Sequence, residues 1–106
     1  MLSKTKSSIN VTESVSAIEE AKIKVLKSVF TTFEALLYSG NIDNTDKVKL
    51  ISDIIMNSYE LANTINVKYE EVDKKIVDTL KAKIAKSDEQ YSKEALLLKH
   101  IRNGRI

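Results

Sequence analysis

The chain contains no cysteine, no proline and no tryptophan, and only two glycines. Without cysteine there is no disulfide, no thiolate nucleophile and no Cys-ligated metal. Without proline no helix is broken from within, and interior glycines, which cost roughly 1 kcal/mol each, are almost absent. Four Tyr and two Phe are the whole aromatic content, so any core is mostly aliphatic. No apolar run approaches the ~20 residues that span a bilayer. The first residues, MLSKTKSSINVTESV, carry charge but no apolar stretch, so a signal peptide is not expected and a cytoplasmic protein is the default. A large charge of one sign is also missing: 17 basic and 15 acidic residues leave a net +2. Nucleic acid, which demands a basic surface, is therefore not an expected partner.

What is present is Leu, Ile, Ala, Lys and Glu in helical order. A length of 106 residues suits one domain with a modest core, to which oligomerisation would add burial. Residues 1–9 are rich in Ser and Lys and read as a flexible tail, leaving 10–106 as a single all-α domain. Asn10 and Glu13 have capping-box spacing. Behind them Val15, Ile18, Val25, Leu26, Val29, Phe30, Phe33, Leu36 and Leu37 recur at helical spacing. That helix either continues to Ser39 or breaks near Lys22, and Gly40 suits a left-handed C-terminal position.

In the connector NIDNTD, Asp43, Asn44 or Thr45 can cap a second helix running to about Ile65. Its apolar stripe is Val48, Ile51, Ile54, Ile55, Leu61, Ala62 and Ile65. At about 100° per residue, Asp53, Asn57, Glu60 and Thr64 fall on the opposite side, which in a lone monomer faces solvent. Asn66 is expected to stop the helix, because Asn is the non-glycine residue best able to take positive φ.

A third helix starts near Lys68 and turns Tyr69, Val72, Ile76, Leu80 and Ile84 inward. Glu70 to Lys74 and Glu71 to Lys75 have i,i+4 ion-pair spacing. Lys86-Ser87-Asp88 reads as a break with Ser87 as cap. A fourth helix carries Tyr91, Ala95, Leu98 and Ile101, widened by Leu96 and Leu97, and frays at Arg102–Arg105. Four helices with short connections imply an antiparallel four-helix bundle.

Candidate chemistry is sparse. Asp53, Asn57 and Glu60 form an i, i+4, i+7 polar line that reads either as a ligand row or as a solvated face. Leu50 and Met56 flank it, which hints at a subunit contact. Glu19 and Glu20 sit among Lys22 and Lys24 as a mixed charged surface. His100 is the single histidine and has no companion ligand. Lys99, Arg102 and Arg105 complement a helix C-terminus. No triad can be built from one His and no Cys.

The stretch LISDIIMNSYELANTINVKYEEVDKKI resembles the MazG-like proteins, of the all-α nucleoside triphosphate pyrophosphohydrolase superfamily. The shared pattern is Leu61-Ala62-Asn63-Thr64-Ile65 at a helix end, Asn66 at the break, then Val67 and Tyr69-Glu70-Glu71-Val72. EALLLKHIRN at Glu94–Asn103 resembles the tail of a degenerate MazG-like group. The resemblance implies two acidic pairs at a spacing of three, holding Mg²⁺ against the phosphates of a nucleotide. In this chain the first pair falls on Thr31 and Glu34 and the second on Leu50 and Asp53, so two of the four acids are kept. Glu34, Asp53, Asn57 and Glu60 are thus the implied metal contacts, and Lys27 and Lys49 the phosphate contacts. The implied function is Mg²⁺-dependent nucleotide hydrolysis or nucleotide binding. The alternative is an inactive helical module that assembles as a homo-oligomer, a dimer or larger.

Overall fold

The structure, a computed structural model, describes residues 2–38, 40–86 and 92–104, with side chains from Glu13 onward. It is all-α. The helices are α1 (Leu2–Tyr38), α2 (Asn44–Thr64), α3 (Tyr69–Ala85) and α4 (Lys93–Arg102). They form two compact units, Met1–Val67 and Lys68–Ile106. Among the described residues no helix is long and apolar enough to cross a membrane.

α1 is continuous through Lys22, which settles the alternative of a break there. It also begins at Leu2, so helix occupies the stretch expected as a tail, and Asn10 is an interior position rather than a cap. No glycine or proline stands before Gly40 to stop it. Gly40 does not take the expected left-handed conformation: positive φ among the described residues occurs at Asn66 (64°) and Gly104 (82°). Ser39 lies outside the described residues.

α2 starts at an Asp43 cap, whose carboxylate oxygen Oδ1 accepts the Asp46 amide at 2.9 Å. Asp43→Ala is expected to cost about 1 kcal/mol, because it strands one of the free amides of the first turn. Urea unfolding would check it; a loss below a few tenths, as for a water-satisfied end, would contradict it.

The α2 terminus closes as a Schellman motif around Asn66. The Asn66 amide donates to the Asn63 carbonyl at 3.1 Å and the Val67 amide to the Ala62 carbonyl at 2.8 Å. Two carbonyls that would lack a partner at the helix end are thereby satisfied.

α1 and α2 pack as an antiparallel hairpin. Thr32 lies against Leu50 and Lys24 against Asn57, so contacts advance along one helix as they retreat along the other. The α1 face in contact is small and partly polar: Ala21, Val25, Ser28, Thr32 and Ala35 are buried or half-buried. Opposite stand Leu50, Asp53, Ile54, Asn57, Leu61 and Thr64. This corrects the expected orientation of α2. Asp53, Asn57 and Thr64, placed on the solvent side by periodicity, belong to the half-buried face, whereas Val48, Ile51, Ile55 and Ile65 are exposed. Much of the expected α1 stripe is exposed too, including Leu26, Phe30, Phe33, Leu36 and Leu37. Both helices carry apolar residues on two sides, and periodicity cannot say which side meets which neighbour.

In the second unit α3 packs on α4 through buried Leu80 and Leu98, with Val72, Ile76, Ile84, Ala95 and Ile101 half-buried. The stripes expected here are the ones used, although Tyr69, Leu96 and Leu97 stay exposed. The cap of α4 is Ser92, whose hydroxyl accepts the Ala95 amide at 3.2 Å. Ser87 and Tyr91, expected as cap and inward residue, lie outside the described residues. Lys74 reaches forward to Asp78 at 2.9 Å instead of back to Glu70. Glu70 and Glu71 in the first turn of α3, and Lys99 and Arg102 in the last turn of α4, complement the helix dipoles.

Candidate functional site

The α1–α2 hairpin holds an open groove of about 220 Å³. It is lined by Lys24, Lys27, Ser28 and Thr31 from α1 and by Leu50, Asp53 and Asn57 from α2. Spacings of three and four residues along each helix place these side chains in two facing rows. Asn57 anchors one end, its Nδ2 donating to the Lys24 carbonyl at 3.4 Å. Ser28 is tied to its own helix, its hydroxyl donating to the Val25 carbonyl at 2.8 Å. Below the groove Thr32 is 2 % exposed and donates to the Ser28 carbonyl at 2.8 Å.

The register implied for the two acidic pairs converges here in part. Thr31, Leu50 and Asp53 all line the groove, although periodicity had assigned Asp53 to solvent. Glu34, the fourth position, is exposed and outside the lining. Glu60 is exposed as well, and its backbone carbonyl accepts the Thr64 hydroxyl at 2.8 Å. So of the four implied metal contacts, Asp53 and Asn57 come together while Glu34 and Glu60 stand apart from them. Among the described residues no three His, Asp or Glu side chains gather to hold a metal.

Asp53 does not face the groove as a free anion. Its Oδ2 accepts from the Lys49 ammonium at 2.8 Å. That hydrogen bond, and then the charge attraction behind it, raises the Lys49 pKa above its ordinary value. Lys49 also edges a second hollow of about 290 Å³ beside the α1–α2 connection, with Ala35, Asn41, Ile42, Asp46 and Leu50. The groove itself keeps Lys24 and Lys27 as cations, with its one carboxylate already paired. Its lining is therefore net basic.

Lys24 and Ser28 have no place in the sequence-based site. Their signal was available: Lys24, Lys27, Ser28 and Thr31 fall at i, i+3, i+4 and i+7, one face of a helix. Lys24 instead reads as part of a charged surface with Glu19 and Lys22, and those two do pair, at 3.0 Å.

Comparison with known proteins completes the picture. No curated protein and no solved structure matches the chain. The sequence model of the MazG-like family matches residues 11–95, which takes in α2, α3 and the groove. With most of its length covered by that match, the chain belongs to the MazG-like family.

Proposed function

We propose that this MazG-like chain binds the phosphate groups of a nucleotide in the α1–α2 groove and does not hydrolyse them. The observation that carries this reading is the charge of the groove. Lys24 and Lys27 line it, and the single carboxylate, Asp53, is held by Lys49. Mg²⁺ asks for hard oxygen ligands such as carboxylates, with substrate phosphates and water completing its shell. One carboxylate already engaged by an ammonium, beside two more ammonium groups, is a poor fit to that demand. A phosphate oxygen, by contrast, is a direct partner for Lys24 and Lys27, and the Thr31 hydroxyl stands beside them as a further donor.

Calorimetric titration of nucleoside triphosphates into the full chain, with chelator present, tests the reading. Binding is expected without added metal, and Mg²⁺ is expected to produce no pyrophosphate. Lys24→Ala with Lys27→Ala should weaken binding about tenfold, at somewhat under 1 kcal/mol for each exposed contact. Pyrophosphate release that requires Mg²⁺ would overturn it from one side, and absence of any nucleotide binding from the other. A second reading, a helical module that assembles with itself, is favoured by the exposed apolar residues along α1.

A further inference from the structure

The hollow beside the α1–α2 connection differs in chemistry from the groove. Ala35, Ile42 and Leu50 give it apolar walls, and its polar groups are of three kinds: the Asn41 amide, the Asp46 carboxylate and the Lys49 ammonium. Apolar walls with a few convergent polar groups suit a small organic ligand better than a bare phosphate. In the register set by Thr32 against Leu50 and Lys24 against Asn57, Ala35 falls opposite Asp46. Only a methyl group stands there, and the space of about 290 Å³ stays open.

The hollow and the groove adjoin. Leu50 lines both, and Lys49 at the hollow holds Asp53 of the groove at 2.8 Å. Asp46, Leu50, Asp53 and Asn57 stand at i, i+4, i+7 and i+11, on one face of α2. Two turns of helix, about 10 Å, separate Asp46 from Asp53. That leaves room for a ribose and its first phosphate between a base in the hollow and further phosphates in the groove.

We infer that this hollow is a guanine site, with the Asp46 carboxylate accepting from the N1–H and N2–H edge of the base. The inference rests on the reading of the groove as a phosphate site. An ionised carboxylate accepts hydrogen bonds and donates none. Guanine is the base that offers two adjacent donors to one carboxylate, and its O6 and N7 are acceptors. The Asn41 amide supplies a donor for these, and the Lys49 ammonium has donors beyond the one given to Asp53. Uracil and thymine flank a single N–H with two carbonyls, and adenine and cytosine set a ring acceptor beside the amine. Each of these turns a lone pair toward the carboxylate. Asp46 is open to such a ligand: Asp43 caps its backbone amide, and among the described residues its carboxylate enters no ion pair.

Calorimetric titration of the full chain, with chelator present, tests this. The ligands are guanosine, inosine, adenosine and uridine triphosphates, and inorganic triphosphate. Guanosine triphosphate is expected to bind about tenfold tighter than the adenosine and uridine nucleotides, the discrimination that one bidentate base contact gives. Inosine triphosphate, which lacks only the exocyclic amine, should fall between. Asp46→Asn should lose the guanine preference and bind inorganic triphosphate as the wild type does. The ligand series uses the wild-type chain alone, so it stands whether or not the variant folds. Equal affinities for the four nucleotides, or a preference for uridine or adenosine, with inorganic triphosphate still bound, overturn the guanine site and leave the phosphate reading in place. So does a guanine preference that survives Asp46→Asn or the loss of the exocyclic amine. If none of the five ligands binds, the phosphate reading falls and the guanine site with it.

Discussion

Replacing Asn66 by valine should lower stability by about 2 kcal/mol, at the upper end of what left-handed backbone costs an ordinary residue. Asn66 sits at φ 64°, the one non-glycine residue with positive φ among those described. A β-branched side chain crowds its own backbone there, whereas Asn tolerates it. Releasing that turn also releases the 2.8 Å hydrogen bond from Val67 to the Ala62 carbonyl, and with it the end of α2. In a chain of this size 2 kcal/mol corresponds to roughly 10 °C in melting temperature. Asn66→Gly is the control: glycine accepts the conformation freely, and the change should be neutral or slightly stabilising. Melting curves followed by circular dichroism at 222 nm would show the contrast. Equal behaviour of the valine and glycine variants would mean that φ at this position is not what ends α2.

Asn66 was legible in the sequence because its chemistry is local. A residue that tolerates positive φ, set between an apolar helix end and Val67, leaves few other conformations. The α2 cap was legible to within Asp43, Asn44 or Thr45 for the same reason, since a cap needs only an oxygen three residues ahead of a free amide, and the structure selects Asp43. The α3 and α4 stripes were legible because each helix has one dominant apolar side.

What stayed hidden is which side of α2 meets α1. The expected stripe is a wide one: its Ile54, Leu61 and Ala62 are buried or half-buried, whereas its Val48, Ile51, Ile55 and Ile65 are exposed, so apolar content alone centres the face too far round the helix. The decision is made by α1, where Ala21, Ser28, Thr32 and Ala35 are small enough to let a second helix come close. Close approach then admits Asp53 and Asn57, whose polar atoms find Lys49 and the Lys24 carbonyl. Small residues carry little weight in a hydrophobicity pattern, so this face passes unnoticed.

The candidate site was legible only as a register. The family pattern placed attention on positions 31, 34, 50 and 53, and three of these line the groove. Its charge was not legible, because that depends on Lys49 pairing with Asp53 and on Lys24 standing across from Asn57. Those are contacts between and along helices, not properties of a motif. The same contacts are why we propose phosphate binding in place of the nucleotide hydrolysis that the pattern implies.

Thr32 is where these arguments meet, and Thr32→Leu is expected to be a strongly damaging enlargement in the first unit. Thr32 is the most buried side chain at the hairpin contact, at 2 % exposure, and its hydroxyl oxygen lies 3.5 Å from the Leu50 carbonyl of α2. At 2 % exposure the Thr32 side chain is enclosed, so a larger leucine has to displace its neighbours. Forcing it in pushes α1 and α2 apart, an overpacking cost of about 2–3 kcal/mol. Separation at this point also opens the groove walls, since Thr31 and Leu50 are immediate neighbours of the contact. Nucleotide affinity should therefore fall together with stability. Thr32→Val keeps the size and removes the hydroxyl. The Ser28 carbonyl that loses the hydroxyl still has its place in the α1 backbone ladder, so this variant should lose no more than about 1 kcal/mol. Urea denaturation of the three proteins would rank them. If the leucine variant matched the wild type, the close approach of α1 and α2 could not be what aligns the groove. A valine variant as unstable as the leucine variant would transfer the effect from packing to the hydrogen bond.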